Sequence, residues 1–226
     1  LLLPRNIGGQ EIGLLEFSKV CETIAWADAS VGWFVNQSNV SSGTSAASMA
    51  PDAAKAMFNG PREGLAWGAR HNQSKAVRVD GGYRLTGKWG FASGGRHTRL
   101  LGAHSAVQNP DGTPHMRHGR PDDRSFIFLR AEAKITDDWY VLGLRGTGSD
   151  TYTVEDLFIP DAHAPAVGSS PTVRAATRRD RSWRPGSPAA CRRRPMPPCR
   201  SMNRRVCASD RKGWWSALKS RWRIPW

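Results

Sequence analysis

The richest chemistry in this sequence sits in one run, Gly82-Tyr83-Arg84-Leu85-Thr86-Gly87-Lys88-Trp89-Gly90-Phe91-Ala92-Ser93-Gly94. Read as a strand, its alternation puts Trp89, Phe91 and Ser93 on one face, where two broad rings and a hydroxyl line a single concavity. That surface suits a flat heteroaromatic ligand: the rings pack on it, and the hydroxyl hydrogen-bonds a ring nitrogen or carbonyl. An ordinary aromatic core strand with a turn serine has the same pattern, so both readings stay open on periodicity alone. Other candidates carry less. His115 and His118 share a Pro/Gly-rich loop but have no acid or cysteine at metal-ligand spacing, and no metal site is expected. His71 and His97 each lie beside a better motif, and a satisfied surface histidine is the default for both. Gly146-Thr147-Gly148 lies between strand-like runs with no helix after it, which argues against a dinucleotide fold. There is no Walker loop and no Gly-x-Ser-x-Gly elbow.

The elements that must position the Gly82–Gly94 run can be read on either side of it. Residues 4–60 carry a helical period: Leu14, Phe17, Cys21, Ile24 and Ala25 recur at three- and four-residue steps and predict one buried face. An apolar run at Val31, Trp33, Phe34 and Val35 gives way to small residues from Ser41 to Ala50, suited to close helix packing. Pro51 opens a last short helix over Asp52–Phe58, where a missing N–H costs nothing, and Asn59-Gly60-Pro61 stops it. From about Leu65 the period becomes two. Strands are predicted over Ala76–Asp80, Tyr83–Phe91, Leu100–Val107, Ser125–Arg130, Ile135–Leu142 and Thr151–Ile159, with His115–Arg124 an exposed loop. Asp80-Gly81-Gly82 is a hairpin signal, because glycine accepts positive φ. Helices first and short strands after predict an α+β chain whose second part is a small antiparallel β-barrel or sandwich.

Charge divides the chain differently. The net charge is +14, from 33 Lys+Arg against 19 Asp+Glu. Residues 171–226 hold 16 of the basic residues and two acids, so they account for the whole excess, and residues 1–170 are neutral. The body is therefore not a basic nucleic-acid-binding domain. The tail has four Ile/Leu/Val/Phe residues, seven prolines and five of the ten tryptophans. It has too little aliphatic surface to offset an ordering cost of ~1–2 kcal/mol per residue. It reads as a basic arm for nucleic acid or anionic lipid, as a solvated disordered extension, or as the product of an out-of-frame stretch of GC-rich DNA. The last best explains why arginine and tryptophan appear just where hydrophobic periodicity stops. Cys21 is the only cysteine of the body, and Cys191, Cys199 and Cys207 do not have paired zinc spacing, which suggests a reducing, cytoplasmic setting. No apolar run is long enough to cross a membrane, and Leu1-Leu2-Leu3 is not a signal peptide. The first residue is not Met, so the start is expected to be cut from something longer.

Three segments, in order, resemble the acyl-CoA dehydrogenase superfamily. Pro4-Arg5 with Gly8-Gly9 is similar to its N-terminal turn; Gly82–Gly94 is similar to its middle-domain strand; Asp138–Asp150 followed by Thr151–Pro160 is similar to its late middle-domain segment. The resemblance covers about residues 4–165. It implies a partial helical N-terminal domain over 1–60, a β middle domain over 61–165, and a tail over 166–226 where the family has a C-terminal helical bundle. It implies FAD or FMN as cofactor, with Trp89, Phe91 and Ser93 as flavin contacts, Ser93 donating near N5, and Trp67 and Ala69 at another flavin edge. Arg145, Gly148 and Ser149 would border the substrate. Trp67-Gly68-Ala69 lacks the Thr-Glu-Pro of the dehydrogenases, which points to the reduced-flavin monooxygenase branch; an acyl-CoA thioester and an aromatic small molecule both stay open as substrate. In the family the catalytic base comes from the bundle, and no acid of 171–226 is a convincing replacement. The implied outcome is a flavin oxidoreductase chain with part of its site, weak flavin binding and negligible turnover. A homo-oligomer is the family habit, and a nucleic-acid or anionic-surface role through the basic tail is the alternative.

Overall fold

A computed structural model describes residues 1–58, 60, 64–70 and 74–167. The expectations for the tail, and for His71, lie outside the described residues. Three helices come first: α1 (Leu14–Ala27), α2 (Ala29–Ser48) and α3 (Pro51–Phe58). Asp28 separates the first two in extended conformation, and its carboxylate accepts from the amides of Ser30 (2.7 Å) and Val31 (3.1 Å), which caps α2. The small residues of α2 are its buried face, among them Ser38, Ser41, Ser42, Gly43, Ser45 and Ala46. Lacking bulk, they let the helix axis come close to the sheet, where Ser42 Oγ accepts from the amide of Leu65 at 3.1 Å. Ala54, Met57 and Phe58 of α3 join Ile7, Ala46, Met49, Leu65, Leu100 and Ile127 in one apolar cluster.

The predicted buried face of α1 is a correction. Phe17 is buried, but Leu14 and Ala25 are exposed, and Cys21 and Ile24 are half-buried. The helical period is there, but among the described residues α1 packs chiefly on α2, so only part of its stripe is covered.

Ten strands follow: β1 (Leu65–Trp67), β2 (Ala69–Arg70), β3 (Lys75–Val79), β4 (Gly82–Gly90), β5 (Leu100–Gln108), β6 (Met116–Arg117), β7 (Arg120–Pro121), β8 (Asp123–Leu129), β9 (Lys134–Thr136) and β10 (Thr151–Pro160). Eight form a curled sheet with the path β1-β5-β3-β4-β10-β9; β2 pairs with β4 and β8 with β5. The β3–β4 hairpin turns at Asp80-Gly81, with Gly81 at φ 70°, as its sequence predicts. The α+β order is as expected, but the sheet is mixed. β5 runs parallel to β1 on its first half and to β3 on its second. The polar His115–Arg124 stretch contains the small β6–β7 hairpin. The strand expected over Ile135–Leu142 stops at Thr136, and residues 137–150 form a loop that returns to the end of β4.

The sheet closes over a core of Tyr83, Leu85, Trp89, Leu101, Phe126, Phe128, Tyr152, Val154 and Ile159. Gly68 breaks the edge between β1 and β2 at its tightest point. A Cβ there would collide with Trp89 Cβ and lie 2.7 Å from the Tyr152 ring. The Tyr152 hydroxyl donates to Gly102 O and accepts from the Gly68 amide at 3.3 Å, so the backbone on both sides is satisfied.

Candidate functional site

The Trp89–Ser93 run does not present one face. β4 ends at Gly90, and Phe91 takes a left-handed backbone, φ 58°. One residue in that conformation breaks the two-residue alternation, so the three side chains part. Trp89 has no exposure: its ring stacks on Tyr152 with centroids 5.6 Å apart, and its indole N–H donates to His104 O at 3.1 Å. As a flavin contact Trp89 is corrected; it is a core plate with both its faces and its polar edge used inside the sheet. Phe91 is 62% exposed and meets Trp139 edge-on at 5.7 Å. Ser93 is buried at 8% exposure, in a cluster of hydroxyls.

Two loops and a helix build that cluster. The loop after β4 is tied to the loop before β10 through Ala92 N to Asp150 O (3.2 Å) and Gly94 N to Thr147 O (2.8 Å). Gly94 is at φ 77°, and a Cβ there would run into the Phe34 ring of α2. Gly146 lets the second loop approach Ser30 at the start of α2, where a Cβ would sit 3.1 Å from that side chain. The first part of α2 then reaches the cluster itself. Trp33 Nε1 donates to Ser93 Oγ at 3.0 Å; Ser93 Oγ lies 2.8 Å from Ser149 Oγ; Ser149 Oγ lies 2.7 Å from Thr147 Oγ1; and Thr147 Oγ1 donates to Leu144 O at 2.8 Å.

An ionic clamp closes the same pair of loops. Arg96 makes a two-pronged contact to the buried carboxylate of Asp150, through Nε and through Nη2 at 2.9 Å, and Nη2 also reaches Asp137 Oδ1 at 2.5 Å. The two carboxylates hold the Arg96 guanidinium more firmly protonated than usual, Asp150 first. The Asp138 carboxylate accepts from the Thr151 amide at 2.9 Å, and the Thr151 hydroxyl first, with this amide behind it, holds its pKa below the ordinary value. Trp139 donates its indole N–H to Leu144 O at 3.1 Å, which fixes the ring that Phe91 touches.

Of the other residues singled out in the sequence, Ala69 is exposed and pairs with Gly90, next to Phe91. Gly148 and Ser149 lie in the hydroxyl cluster's loop. Arg145 begins its short helical turn, is exposed, and has no side-chain partner among the described residues. Trp67 is elsewhere: half-buried, it stacks flat on His104 at 4.1 Å beside a groove of about 430 Å³ whose wall includes Gln37, Ser41 and Thr44 of α2. The fold therefore gathers Ala69, Phe91, Ser93, Gly148 and Ser149 and separates Trp89 and Trp67. Trp33 and Arg96 were missed; Trp139, Thr147 and Asp150 were noted only as part of the Asp138–Asp150 segment. Thr147 and Ser149, two hydroxyl residues flanking Gly148, carried the only local signal; the turn at Arg145–Thr147 and Gly148 at φ 48°, not an extended chain, bring them together. His97 packs its ring against Phe34 at 6.3 Å.

With this geometry in place, comparison with known proteins gives a consistent result. Over 170 residues the chain is 33% identical to the flavin-dependent monooxygenase oxygenase subunit HsaA of Mycobacterium tuberculosis, matching 71% of this chain and 39% of that protein. The chain is similar to flavin-dependent monooxygenases. It is 30% identical to the oxygenase component of an FADH2-dependent resorcinol hydroxylase of Rhizobium sp., over 71% of this chain and 37% of the hydroxylase. Its fold superposes on XiaF from Streptomyces sp., determined in complex with FADH2 and glycerol, with a TM-score of 0.67 at 26% identity over 80% of this chain and 43% of that one. The crystal structure of the M. tuberculosis HsaA monooxygenase gives 0.64 at 30% identity. The chain spans about two fifths of the length of the curated relatives it matches. No family model matches. The relatives take the side of the monooxygenases between the two branches left open by the sequence. No helix among the described residues is long and apolar enough to cross a membrane.

Proposed function

We propose that this chain carries one wall of the flavin site of a reduced-flavin monooxygenase that acts on an aromatic small molecule. The observation that carries the reading is the exposed Phe91 ring, held in a left-handed backbone two residues before the hydroxyl of Ser93, in a chain similar to relatives named as flavin-dependent. Unsatisfied strain and an exposed apolar ring both cost stability, and the protein spends two loops, a clamp and a helix contact to hold them.

The residues present fit a planar ring. Phe91 offers an open face; Ala69, paired with the neighbouring Gly90, adds no bulk; the Ser93 hydroxyl keeps one hydrogen-bonding position beyond Trp33 and Ser149. These three would hold the flavin, FAD or FMN, and Arg145, Gly148 and Ser149 would border the substrate. A bound reduced flavin supplies two electrons and, with dioxygen, one oxygen atom for a substrate carbon, the other leaving as water. The chain's own part is to orient the ring against Phe91, to keep bulk water from Ser93 and Ser149, and to hold both loops in register through Arg96 and Asp150. No general base is assigned among these residues. A cytoplasmic setting fits the lone body cysteine, Cys21.

The test is anaerobic binding of reduced FMN and reduced FAD to the full chain by equilibrium dialysis. Phe91→Ala is expected to weaken binding at least about tenfold, the worth of a lost stacking surface, while far-UV circular dichroism stays unchanged. Equal binding by Phe91→Ala and the unmutated chain would remove Phe91 from the site. No binding of either flavin at millimolar concentration would remove the reading.

A further inference from the structure

The groove beside Trp67 lies between two dissimilar walls. One is a face of α2, where Gln37, Ser41, Thr44, Ser45 and Ser48 recur at three- and four-residue steps. Four of these five carry only a short hydroxyl side chain, so the helix leaves room. The other wall is the sheet, with Trp67 of β1, His104 of β5 and Ser125 of β8. Gly102, the β5 partner of Trp67, lets the indole lie flat: a Cβ there would sit 2.9 Å from the ring. The ring then stacks on His104 with the two planes 5° apart, stays half-buried, and borders the groove. The space between the walls is about 430 Å³, the size of a small-molecule pocket. Its polar groups differ in what they have to offer. Thr44 Oγ1 donates to Val40 O at 2.7 Å and Ser48 Oγ to Thr44 O at 2.8 Å, both back into their own helix. Ser125 Oγ lies 3.2 Å from His104 Nδ1. Ser45 is 3% exposed, and its Oγ has no hydrogen-bond partner among the described residues. A buried hydroxyl left unpaired costs stability, and a polar group brought into the groove offsets that cost.

We infer that this groove is a second binding site, for a flat aromatic molecule with one hydroxyl on its edge, stacked against Trp67 and hydrogen-bonded to Ser45 Oγ. The walls select the class. A ring laid flat on one side and short side chains on the other admit a plate, and stacking on an indole favours an aromatic one. A hydroxyl both donates and accepts, so it meets the Ser45 hydroxyl with either group as donor. Trp67 supplies affinity for the plate, and Ser45 distinguishes a plate with the hydroxyl from one without it. The site uses none of the residues gathered around Phe91, so it does not depend on the flavin reading above.

The experiment measures, by calorimetry on the full chain without flavin, the dissociation constants of 2-naphthol and of 2-methylnaphthalene, a plate of the same shape without the hydroxyl. The unmutated chain is expected to hold 2-naphthol about fivefold to tenfold more tightly, the difference between a made and an unmade buried hydrogen bond. Ser45→Ala abolishes that preference and leaves the affinity for 2-methylnaphthalene unchanged. Trp67→Leu weakens both probes about tenfold, through the lost stacking surface. Where circular dichroism shows that Trp67→Leu fails to fold, Trp67→Phe decides instead, with both probes weakened about threefold. Equal affinity for the two probes on the unmutated chain overturns the inference, as does a preference that survives Ser45→Ala. Binding that the folded Trp67 variant leaves unchanged places the probes elsewhere and overturns it too, and so does no binding of 2-naphthol at millimolar concentration. Displacement of 2-naphthol by reduced FMN merges the groove with the flavin site and overturns the claim of a second one. Failure of the chain to bind any flavin, with both probes behaving as expected, removes the flavin reading alone.

Discussion

Trp89 and Phe91 stand two residues apart, and they belong to different kinds of structure. Around Trp89 the sheet is closed, and its polar groups are paired: the indole N–H on His104 O, the Tyr152 hydroxyl on Gly102 O. Around Phe91 the chain turns left-handed, exposes a ring, and relies on hydroxyls and an arginine clamp to keep its shape. The first region fixes the fold by excluded volume. The second fixes a surface by directed bonds, and leaves part of it open to solvent. Stability and recognition are thus divided at Gly90, within one short run of sequence.

That division has consequences of graded size. Trp89→Ala should cost ~3–5 kcal/mol, the usual cost of emptying a large buried aromatic site, and urea melts would show it. A cost below about 1 kcal/mol, in the range of an exposed site, would show that Trp89 is not the core plate described. Gly68→Ala tests the same region from the backbone side. Its new methyl meets Trp89 Cβ and the Tyr152 ring, and overpacking of this kind costs ~1–3 kcal/mol. Phe91→Gly should act in the opposite direction: relief of the left-handed backbone adds about 0.5–1 kcal/mol of stability. Flavin binding should fall in the same protein, which would separate the two regions in one variant. The smallest effect is on pH. Thr151, through its hydroxyl and then its amide, depresses the Asp138 pKa, so its contribution is fully present above the ordinary carboxylate value of 3.8 and is lost as pH falls through the lower folded value. Asp138→Asn should flatten that acid limb of the stability profile, and an unchanged limb would locate acid sensitivity elsewhere.

Much of the fold was legible because its causes are local. The Asp80-Gly81 turn, the Pro51 helix start and the change of period near Leu65 each follow from neighbouring residues. The parallel pairings of β5 were not legible, since no local feature distinguishes a strand's two edges. Residues 137–142, the first part of that loop, were misread as strand because Trp139, Tyr140, Val141 and Leu142 look like strand residues. In the fold, the Asp138 carboxylate and the Trp139 indole bond locally to Thr151 N and Leu144 O instead of leaving the chain to a ladder. The site was half legible. Ser93 and Ser149 were picked out, but the shared face with Trp89 failed at Phe91, because positive φ at a phenylalanine has no sequence signature. Trp33 carried no signal at all: what gives it a role is a partner 60 residues away.

The bond from Trp33 to Ser93 also offers a clock. It spans 60 residues and joins a helix to the rim of the sheet, so it can form only once both have been assembled and docked. The indole proton of Trp33 is then a reporter of assembly: its downfield NMR resonance and slowed solvent exchange mark the moment when separate pieces of chain become a single molecule.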